Sequence, residues 1–251
     1  MIITHLFRYP FKGLSPEALQ RVDLMAGETI PFDRKYALAH QTTLFDPYNP
    51  KHLPKTDFVM LMKNEKLAEL STKFQDGQLI INKPDEFLIV ANLDDENGRK
   101  SLETFFKEYL GDEIRGEPRV VEALNHSFSD VAAKVLSFVN LNSVRDLEQK
   151  MGATIHPLRF RANVYFEGLP AWEELKWENK EFQIGSARFK FIKNTTRCLA
   201  TNVNPETAER DLEIPQALLK YYNHNILGCY LQVIENGTLG VGSVIEVFDL
   251  I

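Results

Sequence analysis

Ala187-Arg188-Phe189-Lys190-Phe191-Ile192-Lys193-Asn194-Thr195-Thr196-Arg197-Cys198-Leu199 is the stretch from which the rest of the chain can be read. Phe189 and Phe191 alternate with Arg188, Lys190 and Lys193, the two-residue period of a strand with one face toward a core and the other toward water. The strand runs out at Arg197-Cys198 into a turn-rich segment, Asn202-Val203-Asn204-Pro205-Glu206-Thr207. Further strands are expected at Cys229 to Ile234 and Ser243 to Phe248, joined through Asn236-Gly237-Thr238-Leu239-Gly240-Val241-Gly242, whose glycines suit tight turns with positive φ. A succession of short strands closed by such turns suits a closed β-barrel with helical insertions.

Working outward, Val135 to Val139 predicts a strand that runs into a helix from about Ser143 to Met151, ended by Gly152, with Asn140 and Asn142 as candidate caps. Asn163 to Phe166 predicts another strand, and short helical pieces are expected near Ala171 to Leu175 and Pro215 to Tyr222. The first ninety or so residues read as strands and turns: Ile2 to Phe7, Lys35 to His40, Phe58 to Met62, Leu67 to Phe74, Leu79 to Ile81 and Phe87 to Val90. Leu102, Phe105, Phe106, Tyr109 and Leu110 then fall at helical spacing, with Gly111 placed to stop a helix begun near Asp95. The fold class expected is mainly β (α+β), with a β-rich, barrel-like unit over residues 1–118 and a second barrel with peripheral helices over 119–251.

Composition removes several functions. The formal charge of −6 argues against a general nucleic-acid surface, which needs clustered excess cations. Only two cysteines occur among the 251 residues, so four thiolates cannot hold an iron–sulfur cluster and no CxxC zinc pattern exists. The six histidines are scattered, and neither Gly-x-Ser-x-Gly nor HExxH occurs, which counts against hydrolase readings. No apolar run approaches membrane-spanning length and Met1 to Pro10 lacks a signal peptide's apolar segment, so no membrane and a cytoplasmic address are expected.

Two readings of Cys198 stand at this level. It is either a packed, inert thiol, the commoner fate of an isolated cysteine, or a strand-end thiol whose neighbour Arg197 favours the thiolate needed for nucleophilic attack or for ligating a soft metal. Cys229, inside the apolar Leu227-Gly228-Cys229-Tyr230-Leu231, reads as core. Lys12, Arg34 and Arg161 are each ordinary surface cations taken singly, but together they offer what a phosphorylated cofactor requires from several strands.

The order of these features resembles the MOSC proteins that carry an N-terminal β-barrel domain, the class that includes amidoxime-reducing members. The resemblance spans nearly the whole chain. It rests on Tyr9-Pro10-Phe11-Lys12, Asp33-Arg34-Lys35-Tyr36, Asn142-Ser143-Val144-Arg145-Asp146-Leu147, Phe160-Arg161-Ala162-Asn163-Val164, Glu167-Gly168-Leu169-Pro170-Ala171-Trp172, Arg197-Cys198, Asn204-Pro205-Glu206-Thr207, Leu227-Gly228-Cys229-Tyr230 and the glycine-rich Gly237 to Val244. It implies that Cys198 is the protein ligand to the molybdenum of a molybdenum cofactor. It also implies that Lys12, Arg34, Arg161, Asn163, Arg197 and the Asn142-Ser143 junction hold the pterin and its phosphate, Arg161 and Asn163 acting from one face of a strand. The sequence departs from the family at Ala162, where Arg-Pro-Asn has proline, at Gly13 after the first lysine, at Ala208, and at Thr195, where a further cysteine is common. Phe45 to Lys55 resembles a variant loop of bacterial members and equally reads as a turn-rich surface loop.

The activity implied is reduction of N-hydroxylated small molecules to the amine-type product and water, with electrons from a separate electron-transfer protein, a flavin or iron–sulfur reductase. The alternative is a cofactor or sulfur carrier like the MOSC module of molybdenum-cofactor sulfurases.

Overall fold

In the computed structural model, which describes residues 1–249, the chain forms β1 (Ile2–Arg8), β2 (Glu17–Leu19), β3 (Arg21–Leu24), β4 (Tyr36–Ala39), β5 (Ser71–Gln75), β6 (Gln78–Lys83), β7 (Glu86–Asn92), α1 (Glu96–Leu110), β8 (Arg119–Glu122), β9 (Leu136–Asn140), α2 (Leu141–Met151), β10 (Val164–Glu167), β11 (Lys180–Ile184), β12 (Ala187–Thr196), α3 (Ile214–Tyr222), β13 (Ile226–Glu235), β14 (Gly237–Gly240) and β15 (Ile245–Asp249). The fold is mostly β, as the alternation predicts. Among the described residues, no helix is long and apolar enough to cross a membrane.

The main sheet has eight strands in the order β15-β11-β12-β13-β9-β10-β1-β2. It curls far enough for its ends to meet: Ile3 N–H donates to Ser243 O at 3.0 Å, Ile245 N–H to Met1 O at 2.9 Å and Gly242 N–H to Ile3 O at 2.8 Å. The inward residues of this curl, among them Phe138, Phe166, Phe182, Phe189, Leu231 and Val233, make one core. Phe189 is buried as its alternation with Lys190 requires. Of the three glycines in Gly237 to Gly242, only Gly242 has positive φ; a Cβ on Gly237 would instead lie 2.4 Å from Ala187 N, so that glycine serves close approach of two chains.

Helix ends follow the side chains. Asn140 accepts from Asn142 N–H at 3.1 Å to cap α2, and Gly152 closes it at φ 65°. Asp95 caps α1 through Gly98 N–H.

The first part of the chain pairs with the second across the expected division. β1 pairs with β10 and β2, and β3 pairs with β14, so the first strands belong to the main barrel. β8 pairs with β4 across the expected boundary at residue 118. Between them the meander β5-β6-β7 and α1 enclose a second core around Tyr36, Leu79, Ile81, Leu102 and Phe106. Of Phe58 to Met62 only Phe58 bridges to Ala39, and Leu61 and Met62 turn away, because Asn64 Oδ1 accepts from Met60 N–H and folds the chain back. Leu67 to Phe74 likewise divides into a 3-10 turn, Glu65–Glu69, and β5.

Candidate functional site

β12 and β13 form a long antiparallel ribbon in which Lys193 faces Tyr230 and Asn194 faces Cys229. Opposite residues of an antiparallel pair share a face. Cys229 and Asn194 therefore point to the barrel, where Cys229 is 0% exposed, while Tyr230 and Lys193 point to the other side. Beyond Thr196 the chain leaves the sheet. Arg197 N–H still donates to Asn225 O at 2.8 Å, and Cys198 precedes a 3-10 turn, Leu199–Asn202. Thr201 N–H and Oγ1 both donate to Cys198 O, at 3.0 and 2.9 Å, which fixes the backbone and leaves the thiol half-buried. Arg159 holds the same turn from behind, forking onto Asp211 at 2.6 and 2.8 Å and donating to Asn202 O at 2.9 Å.

Cys198 opens onto a cleft of about 410 Å³ between the ribbon, the segment Arg159–Asn163 and the turns around Lys12, Arg34 and Lys55. Seven cationic side chains line it, Lys12, Arg34, Lys55, Arg159, Arg161, Lys193 and Arg197, against two carboxylates, Asp33 and Asp130. This excess sits in a chain whose net charge is −6, so the cations are concentrated locally. Lys12, 8% exposed, donates to Phe128 O at 2.8 Å and Asp130 at 2.6 Å. Arg34 pairs with Asp33 and donates to Arg161 O. The Arg34 and Arg161 guanidiniums lie 4.8 and 4.4 Å from the centre of the Tyr9 ring, which gives two like charges a shared aromatic partner.

These charges are costly without an anion among them. Burial pulls the Lys12 ammonium below the usual lysine range; Asp130 opposes this, while Arg34 and Arg161 add to it. Arg161 is lowered by burial, with Arg34 again repelling it. Burial alone would raise Asp130, but Lys12, Lys55 and Arg34 hold it below the ordinary carboxylate value. Within the Lys12–Asp130 pair the lysine bears the desolvation because it is the more buried partner, 8% against 49% exposed. Lys55 stays above its usual value although burial lowers it, because the Cys198 sulfur and Asp130 face it. Arg197, 8% exposed, donates through Nε to Leu227 O and through Nη1 to Phe160 O, yet its Nη2 is buried without a partner, as is Thr195 Oγ1. An unpartnered buried donor costs about 1–3 kcal/mol.

Lys12, Arg34, Arg161, Asn163, Arg197 and Cys198 thus come together, although they are remote in sequence. Asn142 and Ser143 do not line the cleft: Ser143 Oγ donates to Glu174 and accepts from Trp172 N–H, and Asn142 Nδ2 donates to Leu169 O, so both side chains are spent tying α2 to the segment after β10. Arg161 and Asn163 do not share a strand face either. Arg161 ends a 3-10 turn at φ 50°, ahead of β10. Asn163 lines the cleft but is committed to the fold, accepting from Ser137 N–H and Oγ and donating to Phe7 O and Asp33. Lys55, Asp130, Lys193, Thr195 and Tyr230 went unassigned in the sequence. The period-2 pattern alone would have placed Lys193 and Thr195 on one face; Tyr230 needed the pairing register. Gly228, at φ 76°, lies where a Cβ would come within 2.3 Å of Phe138 O and 3.2 Å of Arg197 Nη2, so the ribbon's floor admits only glycine there.

Fold and site together define a curled β-barrel protein that offers one half-buried thiol to a cation-lined cleft. Residues 123–246 match the MOSC domain family, and this part of the chain is a MOSC domain. The chain is 31% identical over 112 residues to mitochondrial amidoxime reducing component 2 of Bos taurus, covering 40% of this chain and 33% of that protein. It is 29% identical over 106 residues to molybdenum cofactor sulfurase of the same species, covering 37% and 12%. The matched segment thus spans about a third or less of these relatives' length. The YuaD protein of Bacillus subtilis superposes over 100% of this chain and 96% of its own, at 13% identity and a TM-score of 0.44.

Proposed function

We propose that the chain binds a molybdenum cofactor through Cys198 and reduces N-hydroxylated small molecules, taking electrons from a separate flavin or iron–sulfur electron-transfer protein. One observation carries the reading: a half-buried thiol stands at a cleft whose cations outnumber its carboxylates and whose Arg197 Nη2 has no partner. The donor set fits the group. A thiolate is a soft ligand for molybdenum, and guanidinium and ammonium groups give charge-assisted hydrogen bonds to a phosphate. When bound, the cofactor supplies the two-electron chemistry that breaks an N–O bond.

The chain's own residues would do the rest. Lys55 faces the Cys198 sulfur. Arg161, Arg34, Lys12 and the free Arg197 Nη2 would neutralise the anion, and Asn163 and Asp33 keep Arg34 and the Tyr9 segment in place. Departures at Ala162 and Gly13 do not disturb this, since Ala162 is buried and contributes through its carbonyl, accepting from Tyr9 Oη, and Gly13 holds φ 88°.

Protein produced in cells supplied with molybdate should carry molybdenum and reduce benzamidoxime with an artificial electron donor. Likeness to the sulfurase favours a second reading, a cofactor or sulfur carrier. Molybdenum-loaded protein that never turns over would decide for the cofactor carrier, and protein without molybdenum would defeat the reductase and the cofactor carrier alike.

A further inference from the structure

Tyr230 stands on the cleft face of β13, opposite Lys193 and away from the barrel core that takes its neighbour Cys229. Its hydroxyl lies next to the buried Thr195 Oγ1. Arg197 and Arg34 approach from the ribbon's end and the facing turn, Asp130 and Lys55 from the opposite wall.

Reduction of an amidoxime to an amidine breaks one N–O bond, consumes two electrons and two protons, and releases the oxygen as water. The electrons come from the donor protein; at least one proton must be delivered where the oxygen leaves. The cleft offers few groups that can give it. Asp33 is paired with Arg34, and Asp130 is held below the ordinary carboxylate value by Lys12, Lys55 and Arg34. Arginines do not release protons. Lys12 is bonded to Phe128 O and Asp130, and Lys55 faces the Cys198 sulfur and Asp130. Lys193 and Thr196 are exposed, and the buried Thr195 hydroxyl is a far weaker acid than a phenol, which leaves the Tyr230 hydroxyl as the neutral acid of the cleft.

We infer that Tyr230 is the catalytic acid, its O–H giving a proton to the departing oxygen of the N-hydroxylated substrate. This rests on the reductase reading of the same cleft. The phenolate left behind lies beside Arg197 and Arg34, which lower its energy, and it regains its proton from solvent before the next turnover. Burial raises the Tyr230 pKa above that of free tyrosine, so the acid form is present at neutral pH and the rate falls only as alkaline pH passes through that pKa.

The test compares molybdenum-loaded wild type, Tyr230→Phe, and a variant with 3,5-difluorotyrosine at position 230. The Phe ring keeps the packing, so molybdenum content and thermal midpoint should match wild type. Benzamidoxime turnover should fall about 100-fold or more in kcat with KM little changed, and the alkaline limb of the pH profile should vanish. Difluorotyrosine, a stronger acid, should keep activity and move that limb to lower pH. Full kcat and an unchanged limb in Tyr230→Phe, with wild type active, would overturn the assignment alone. Loaded wild type without turnover would overturn it together with the reductase reading.

Discussion

The β12–β13 ribbon has two faces, and its two cysteines mark the difference between them. Cys229 sits among Phe138, Phe189 and Leu231, where burial pushes its thiol well above the usual range and keeps it protonated. Cys198 stands where the ribbon ends, half-buried, with a lysine before it and an arginine beside it in sequence. One thiol is packing; the other is available. The same contrast extends to their neighbours: the barrel face buries apolar area and stabilises the fold, while the cleft face gathers like charges that burial and mutual repulsion penalise. Stability on one face supports a site on the other that the fold alone does not favour.

The largest effect expected on the barrel face is from Phe189→Ala, which should cost about 3–5 kcal/mol in denaturant unfolding while leaving molybdenum per folded chain unchanged. A cost near zero would mean that the ribbon's inward face is not core. On the cleft face the sign should differ. Arg161→Gln removes one of two guanidiniums over Tyr9, so the metal-free protein should keep or gain stability while cofactor retention drops; a clear loss of stability would show that the cations hold the fold instead of awaiting an anion.

The pH dependence sharpens the comparison further. Asp130 has a depressed folded pKa, so its contribution is present above the unfolded value of about 3.9 and is lost as pH falls through the lower folded value. Asp130→Asn should therefore be less stable than wild type near neutrality, with the gap closing in acid; a gap that persists would place the effect in packing. The smallest effect concerns inorganic phosphate, which should raise the melting temperature of the metal-free protein by about 2–4 °C when well above its dissociation constant, and should do less for Arg161→Gln.

Which parts of this were visible in sequence follows from the range of the interactions. Phe189 and Phe191 alternating with charges, Gly152 after a helical pattern and the Asn140 cap are local, and they read true in β12 and α2. The β4–β8 and β3–β14 pairings, which cross the expected division at residue 118, were not legible because they join residues far apart in the chain, which no local periodicity reports. Within the site, the ordered motifs led to Lys12, Arg34, Arg161, Arg197 and Cys198. They misdirected at Asn142 and Ser143, whose side chains are claimed by the Leu169 carbonyl and the buried Glu174. Lys55 and Tyr230 reach the cleft only through tertiary placement, so nothing in their own neighbourhoods distinguished them.

The most direct test is molybdenum per chain in Cys198→Ala beside Cys229→Ala, both produced in molybdate-supplied cells and compared with wild type. Cys198→Ala should fold at a near-native midpoint and carry no molybdenum; Cys229→Ala should lose about 1 kcal/mol of stability and keep its metal. Wild-type molybdenum content in Cys198→Ala, or its loss in Cys229→Ala alone, would contradict the assignment of the cleft thiol as the ligand.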